Sequence, residues 1–438
     1  MAAGQSIDPG RWQTEFDGLI ARIASRFARV ESRRLARDAV AGLMSGLAVK
    51  NCWTLAEHAG HDSPDGLQHL LRKAKWDTDG VRDDLRRYVV ERLGTIDAVL
   101  VVDETGDLKK GAHTVGVQRQ YTGTAGRIEN AQVAVYLTYA SAAGHALIDR
   151  ELYLPRVWAD DTGRSERAGV PDEVKFATKP ALATEMITRA LDAGVAARWI
   201  AGDEVYGADP KLRKSLEDRG VGYVLAVACN HQVRTGVGRV RADELTASLP
   251  RKAWQRLSAG AGSKGPRFYD WAWISIEPEP EAMPSDAQGQ RWLLIRRNNA
   301  TGELAYYRCW SPAPVPLREL VRVAGRRWTI EESFQASKTL TGLDQHQVRR
   351  WTSWHRWTIL AMLAYALLAV LAAAERAETP TPPGLIALTC NEIHHLFNTL
   401  IAEPIRNLRH RLHWSTWRRR HQHRARTSHY QRRQADPA

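Results

Sequence analysis

Two apolar runs in this chain end on an acid. AVLVVDETG brings in Asp103 after residues 98–102, and RWIAGDEVYG brings in Asp203 a little after residue 199. In neighbouring strands of one sheet the two carboxylates would emerge at the same edge, and like charges that close need a cation or a shared proton. A third acid, from a helix packed across that edge, would complete a hard, oxygen-rich site suited to Mg2+ or Mn2+. The stretch RRWTIEESFQASK, residues 326–338, offers Glu331 or its neighbour Glu332. On a helix, Arg327, Glu331 and Lys338 fall within about 40° of one another. Arginine four residues before glutamate is the less favoured order for a helical ion pair, so helix stability alone explains little of the pattern. A site that grips phosphate while holding a metal would use it, with Arg327 as a bidentate fork and Lys338 as a point charge.

The bulk composition points to a polyanionic partner. The 438 residues carry a net charge of +13, and 44% hydrophobic with 25% charged residues is the balance of a globular protein with a large core. The sequence pI is near 9.7, and nucleic acid is the commonest ligand of so basic a chain. Cys52, Cys229, Cys309 and Cys390 lie far apart with no Cys-x-x-Cys pair. That argues against a disulfide framework or a zinc site and for reduced thiols in the cytoplasm. The N-terminal MAAGQSIDPGRW has no charged segment leading into an apolar run, so no secretion signal is expected. TILAMLAYALLAVLAAA, residues 358–374, is alanine-rich and falls short of the ~20 residues of a spanning helix. It reads as a buried core helix, with no membrane as partner.

The elements that would position these residues follow in order. Residues 1–95 read as a helical, DNA-binding domain, with Thr54-Leu-Ala-Glu57 in the form of a capping box and Ser63-Pro64 in that of an N-cap followed by proline. The resulting helix-turn-helix would present Gln68, His69, Arg72 and Lys73 outward to DNA, although an ordinary helical hairpin has the same pattern. Residues 96–229 pass from strands into alternating helix and strand, as in a mixed sheet flanked by helices. Residues 230–315 hold short strand-like runs (RFYDWAWISIEP, RWLLIRRN, ELAYYRCW) between Gly, Pro and Ser and read as a β-rich insertion. Helical pattern returns over residues 316–376, and a basic C-terminal region, 377–438, follows the linker ETPTPPG and opens on a capping box at Thr389 and Glu392.

Within these segments several groups suit nucleic acid. Tyr269, Trp271 and Trp273 share one face of a strand; they could stack on an unpaired or flipped base, or pack the insertion's own small core. Arg418, Arg419 and Arg420, with Trp414 and Trp417 interleaved, suit phosphate and base contacts. GAGSKG, residues 260–265, has no apolar strand leading in and is followed by Pro266, so it reads as a loop and not a nucleotide site. His394-His395 and His421-x-His423 lack acid or cysteine partners at metal spacing and read as histidines of a basic surface.

Together the motifs resemble those of the DDE transposases of bacterial insertion sequences, in the branch with a Tyr-Arg-Glu-Lys signature around its last acid. RRWTIEESFQASK is similar to that signature at Arg327, Glu331 and Lys338, and VVDETGDLKKG and IAGDEVYG look like the first and second aspartate motifs. HTVGVQRQYTGTAGRIENAQVAVYLTYAS followed by GHALIDRELYLP is typical of one such group, and the likeness spans roughly residues 40 to 375. The signature's tyrosine position holds Ala324. Spacing within the signature selects Glu331 over Glu332. The resemblance implies an α/β fold, an RNase H-like mixed sheet flanked by helices, with the β-rich insertion between the second aspartate and the glutamate. Around this core stand the N-terminal helical domain and the basic helical C-terminal tail. Asp103, Asp203 and Glu331 are then expected to hold two Mg2+ (or Mn2+) ions per active site. They would serve hydrolysis at the transposon end and transesterification of the freed 3′-hydroxyl into target DNA. The implied partners are double-stranded DNA, as terminal inverted repeats and as target, and a second copy of the chain as a homodimer on DNA; the implied place is the cytoplasm, at the nucleoid. A catalytically inactive relative acting as a DNA-binding repressor, or a stand-alone nuclease of the same fold, would share these motifs.

Overall fold

The computed structural model describes residues 7–236, 238–262, 265–278, 288–378, 381, 385–401 and 408–435. The chain divides into two compact units, one made of Met1–Asp84 with Ala336–Ala438 and the other of Leu85–Gln335. The first is helical. Its N-terminal part contains α1 (Pro9–Ile23), α2 (Val30–Leu43), α3 (Cys52–His58), α4 (Asp65–Arg72) and the start of α5 (Thr78–Leu93). The first short helix of the expected pair begins earlier than Thr54: the Asn51 side chain accepts from the N–H groups of Trp53 and Thr54, and the Asn51 N–H donates back to Thr54 Oγ1. Asparagine outranks threonine as a cap, so the capping box shifts upstream by three residues. At the second helix Pro64 itself is the N-cap residue, without a side-chain cap bond.

The second unit is built on a ten-stranded sheet, in the order β2-β3-β1-β5-β6-β12-β11-β10-β9 with β4 also paired to β3. Its strands are β1 (Val99–Leu108), β2 (Gln118–Thr122), β3 (Arg127–Ala140), β4 (His145–Leu152), β5 (Trp199–Gly202), β6 (Gly222–Val227), β9 (Gln255–Gly262), β10 (Gly265–Ser275), β11 (Gln290–Arg297) and β12 (Leu304–Ser311). A separate hairpin joins β7 (Gln232–Thr235) to β8 (Gly238–Arg241). β1, β3 and β4 are antiparallel, then β5 and β6 run parallel to β1. This is the RNase H-like mixed sheet that the motifs implied. Val99 to Val102 are fully buried, as a strand covered on both faces requires. Between the strands lie α6 (Arg156–Ala159), α7 (Thr162–Ala168), α8 (Lys179–Asp192), α9 (Glu204–Gly207), α10 (Pro210–Asp218), α11 (Ala242–Ala247), α12 (Leu317–Arg326) and α13 (Trp328–Thr341), the last running past the end of the unit.

The β-rich insertion is not a separate layer. β12 pairs antiparallel with β6, and β11, β10 and β9 follow outward, so the inserted strands lengthen the central sheet. The expected loop GAGSKG is strand where it is described, Gly260–Gly262 closing β9 and Gly265 opening β10, with residues 263 and 264 outside the described set. The continuous helix expected around Glu331 is divided into α12 and α13 at Arg327. Arg327 keeps right-handed helical angles (φ −51, ψ −35), so its relation to Glu331 survives the break.

In the helical unit α14 (Trp351–Glu378) is the long apolar helix, and 94% of its most apolar window is buried within the protein. Polar anchors grip both of its ends. Arg356 donates to the carbonyls of Leu70 (3.1 Å) and Ala74 (2.6 Å), and buried Glu375 accepts from Trp12 Nε1 at 2.8 Å and pairs with Arg11. It is a core helix. The linker ETPTPPG lies largely outside the described residues. Beyond it come α15 (Cys390–Leu400), capped by Thr389 through the Glu392 N–H as expected, and α16 (Leu408–Ala435).

Candidate active site

The parallel pairing of β1 and β5 places Val102 opposite Gly202. The next residue on each strand is an aspartate, so Asp103 and Asp203 stand side by side on strands about 4.8 Å apart. Asp103 Oδ1 accepts the N–H of Glu104 at 2.7 Å. Asp203 leaves the sheet as the N-cap of α9, its Oδ1 accepting from Val205 N at 2.9 Å. Burial raises the proton affinity of Asp103, and the charges of Asp203 and Glu104 raise it further. Asp203 is pushed up as well, first by burial and then by Glu104. Two half-buried carboxylates that resist joint ionisation are a place where a cation is worth most.

Arg327 supplies one positive group. Its guanidinium lies 3.6 Å from Asp103 Oδ2 and 2.9 Å from Glu331 Oε1. Glu331 therefore reaches the first aspartate through Arg327. Among the described residues no three acids, histidines or cysteines are grouped closely enough to hold one ion. The aspartate pair fits a divalent cation by its oxygen chemistry and its uncompensated charge; Glu331 would have to give up Arg327 to join it. Glu332 turns elsewhere, to His145 Nε2 at 3.3 Å. Lys338 is seven residues beyond Glu331 on α13, within the helical unit.

Two clefts adjoin this cluster. One, of about 410 Å³, is lined by Asp203, Glu204, Cys229, Arg296, Tyr307 and Arg327. The other, of about 540 Å³, is lined by Arg267, Tyr269, Trp271, Arg296, Tyr307, Arg327 and Trp328. Arg296, Tyr307 and Arg327 form their common wall. The inserted strands' small core uses the opposite face of β10, where Ala272 and Ile276 pack on Leu293, Ile295 and Val227. Trp271 is instead at the second cleft, 6.1 Å from the Tyr307 ring, while Trp273 stacks on Trp292 at 5.5 Å. Ala324 also lines the cleft, whose phenols come from Tyr269 and Tyr307.

A close backbone approach sets Arg327 in place. A Cβ on Gly325 would come within 2.0 Å of the Ala259 carbonyl oxygen of β9, and Arg267 donates to the carbonyls of both residues. Gly325→Ala must push α12 off the sheet. It is expected to destabilise the protein by on the order of 1–3 kcal/mol and to displace Arg327; thermal melting and cleavage rate report the two effects, and an unaltered melt would contradict the stated contact.

The other residues expected at DNA lie in the helical unit. Gln68, His69, Arg72 and Lys73 are all exposed on or beside α4. α16 lies against α3: Trp53 meets Trp417 and His421 edge-on at 4.8 and 4.7 Å, and Arg418 pairs with Glu57. Trp414 is fully buried and donates to the His61 carbonyl at 2.8 Å. Trp414 is thus a packing group, and half-buried Trp417 packs against Trp53 and His421. Arg419 and Arg420 remain exposed.

Sequence reading passed over Arg267, Arg296, Tyr307 and Trp328. The last was legible, as an aromatic between Arg327 and Glu331; the others come from strands whose pairing no local pattern reveals. A family model described as a DDE superfamily endonuclease matches residues 22–258, more than half of the chain, and one described as a transposase DDE domain matches residues 177–367. A probable transposase for insertion sequence element IS701 from Microchaete diplosiphon is 32% identical over 195 residues, covering 44% of this chain and 48% of that protein. The chain thus spans about half the length of this curated relative. Among solved structures, a piggyBac transposase synaptic complex with hairpin DNA overlays with a TM-score of 0.40 at 12% identity, covering 95% of this chain and 86% of that one. The NurA nuclease from Sulfolobus solfataricus overlays with a TM-score of 0.26 at 10% identity, covering 57% and 79%.

Proposed function

The chain belongs to the DDE superfamily of endonucleases, and from that premise we propose that it is the transposase of a bacterial insertion sequence. It would cut double-stranded DNA at the element's terminal inverted repeats and join the freed 3′ ends to target DNA. The observation that carries this reading is the β1–β5 register, which delivers Asp103 and Asp203 to one sheet edge beside Arg327.

The family uses divalent metal; here Mg2+ or Mn2+, as two ions, is the proposed form, with Asp103 and Asp203 as first ligands and Glu331 joining them. A divalent metal held by these carboxylates would supply an activated water and charge stabilisation for the leaving 3′-oxygen. Arg327, released from Glu331, turns its fork to a phosphate oxygen, and Lys338 adds a point charge. The Arg- and Tyr-lined cleft receives an unpaired base next to the cut. Tyr269 and Trp328 offer ring faces and Arg296 a stacking guanidinium, while Trp271, fully buried, packs against Tyr269 and Tyr307. Gln68, Arg72 and Lys73 of the helical unit, with Arg418, Arg419 and Arg420, contact the duplex beyond the ends. Two ends must be held together, so a homodimer on DNA is part of the reading, in the cytoplasm at the nucleoid.

The direct test incubates the full chain with Mg2+ and labelled duplex carrying the inverted repeats that flank its gene. Nicking at the repeat boundary, lost on adding EDTA, is expected; specific binding with no nicking would overturn the enzymatic reading. Trp328 is 46% exposed at the cleft. Its replacement by alanine should slow end cleavage by roughly 5- to 100-fold, the worth of one base stack. A terminal 2-aminopurine whose fluorescence on binding is the same with and without Trp328 would rule out the stacking role.

A further inference from the structure

Glu104 follows Asp103 on β1, so its side chain leaves the other face of the sheet. It touches both aspartates' supports. Its backbone N–H donates to Asp103 Oδ1 at 2.7 Å. Its carboxylate accepts the Tyr206 hydroxyl at Oε2, 2.6 Å, and the Lys179 ammonium at Oε1, 2.6 Å. Tyr206 is fully buried on α9, the short helix that Asp203 caps. We propose that Glu104, held between Lys179 and Tyr206, is a positioning residue that sets the Asp203 carboxylate beside Asp103 for metal binding. The inference rests on the metal-site reading above.

α9 spans four residues, Glu204–Gly207, and a helix that short has no stability of its own. Its place is imposed from outside. Gly207 lies so close to β6 that a Cβ would come within 1.8 Å of the Ala226 carbonyl oxygen, which fixes the end of the turn. The start follows directly on Gly202 of β5, and the Tyr206 hydroxyl ties the turn to Glu104 on β1. Lys179 opens α8, which Thr178 caps through the Ala181 N–H. Its ammonium pairs with Glu104, whose charge adds to the repulsion felt by both aspartates. The two motifs AVLVVDETG and RWIAGDEVYG thus each contribute one acid to the metal and one partner to this link. Packing alone does not need the phenol oxygen: phenylalanine would fill the same space.

The test uses the full chain without DNA and follows Mn2+ binding by the loss of the free-ion EPR signal. Tyr206→Phe and Glu104→Gln are each expected to weaken Mn2+ binding by roughly 10-fold, the usual worth of a group orienting a metal ligand. The double variant should be no worse than the weaker-binding single one, since both cut one link. In end cleavage the Mg2+ midpoint should rise in parallel, with most of the rate recovered at saturating Mg2+ and DNA affinity in a gel shift unchanged. Unchanged Mn2+ binding in both variants would overturn the proposal, and so would failure of both to fold, which would make the link a fold element only. Asp203→Asn run alongside separates the premises. If it leaves Mn2+ binding intact, the metal-site reading fails; if it abolishes binding while Tyr206→Phe has no effect, only the positioning role fails.

Discussion

Replacing Asp103 with asparagine is expected to abolish end cleavage, by roughly 1,000-fold or more, and at the same time to raise the melting temperature of the metal-free protein above neutral pH. The two effects have one cause. Asp103 lies half-buried beside Asp203 and near Glu104, and its proton affinity is pushed up to about 8 from an ordinary 3.8. Between those values the folded protein holds a proton that the unfolded chain has released. The unfolded state then binds fewer protons, so stability falls as pH rises through that window. Asparagine carries no charge and escapes the penalty. The melting temperature of the variant should therefore run level with the parent near the ordinary carboxylate range and pull ahead towards pH 8. Adding Mg2+ should close the gap by stabilising only the parent, because binding to the folded state alone raises its stability. A variant that melts lower than the parent by the same amount at every pH would show that Asp103 is an ordinary structural acid. Cleavage equal to the parent's would remove it from the active site.

This trade explains which parts of the molecule were legible in sequence. β1 and β5 announce themselves because a strand buried on both faces must be apolar throughout, and an acid at the end of such a run is costly without a partner. Their adjacency is a different matter. It depends on crossover helices and a register that no window of residues contains, yet it brings Asp103 and Asp203 together. Glu104 and Tyr206 meet across 102 positions of sequence for the same reason. The inserted strands are readable as strands, but their pairing through β12 to β6 is not, since a two-strand edge carries no local mark. The aromatic face of β10 reads equally well as core or as surface. Only the structure reveals that Ala272 and Ile276 take the core side and leave Trp271 at the cleft. In the basic tail the reverse holds: Trp414 looks available for stacking until α16 is seen lying on α3.

Arg327→Ala should act on stability in the direction opposite to Asp103→Asn. The guanidinium bridges Asp103 and Glu331 at 3.6 and 2.9 Å, and its positive charge is the one that opposes the rise in Asp103 proton affinity. Removing it leaves half-buried Asp103 and the more exposed Glu331 without their cation, so the metal-free variant is expected to melt lower, most visibly at pH 8. Combining it with Asp103→Asn should restore most of the loss, because neighbouring charges couple and their effects do not add. On function the two substitutions agree. A charged hydrogen bond is worth about 1.5–3 kcal/mol, so loss of the contact to a phosphate oxygen should slow cleavage by roughly 10- to 100-fold and weaken binding of the transposon end. Arg327→Lys keeps the charge and loses the fork, and should recover the melting temperature more fully than the rate. Rates and end affinities that match the parent in Arg327→Ala would leave this residue a holder of acids with no hand on DNA. Melting temperatures that add in the double variant would mean that Arg327 and Asp103 do not act on each other at all.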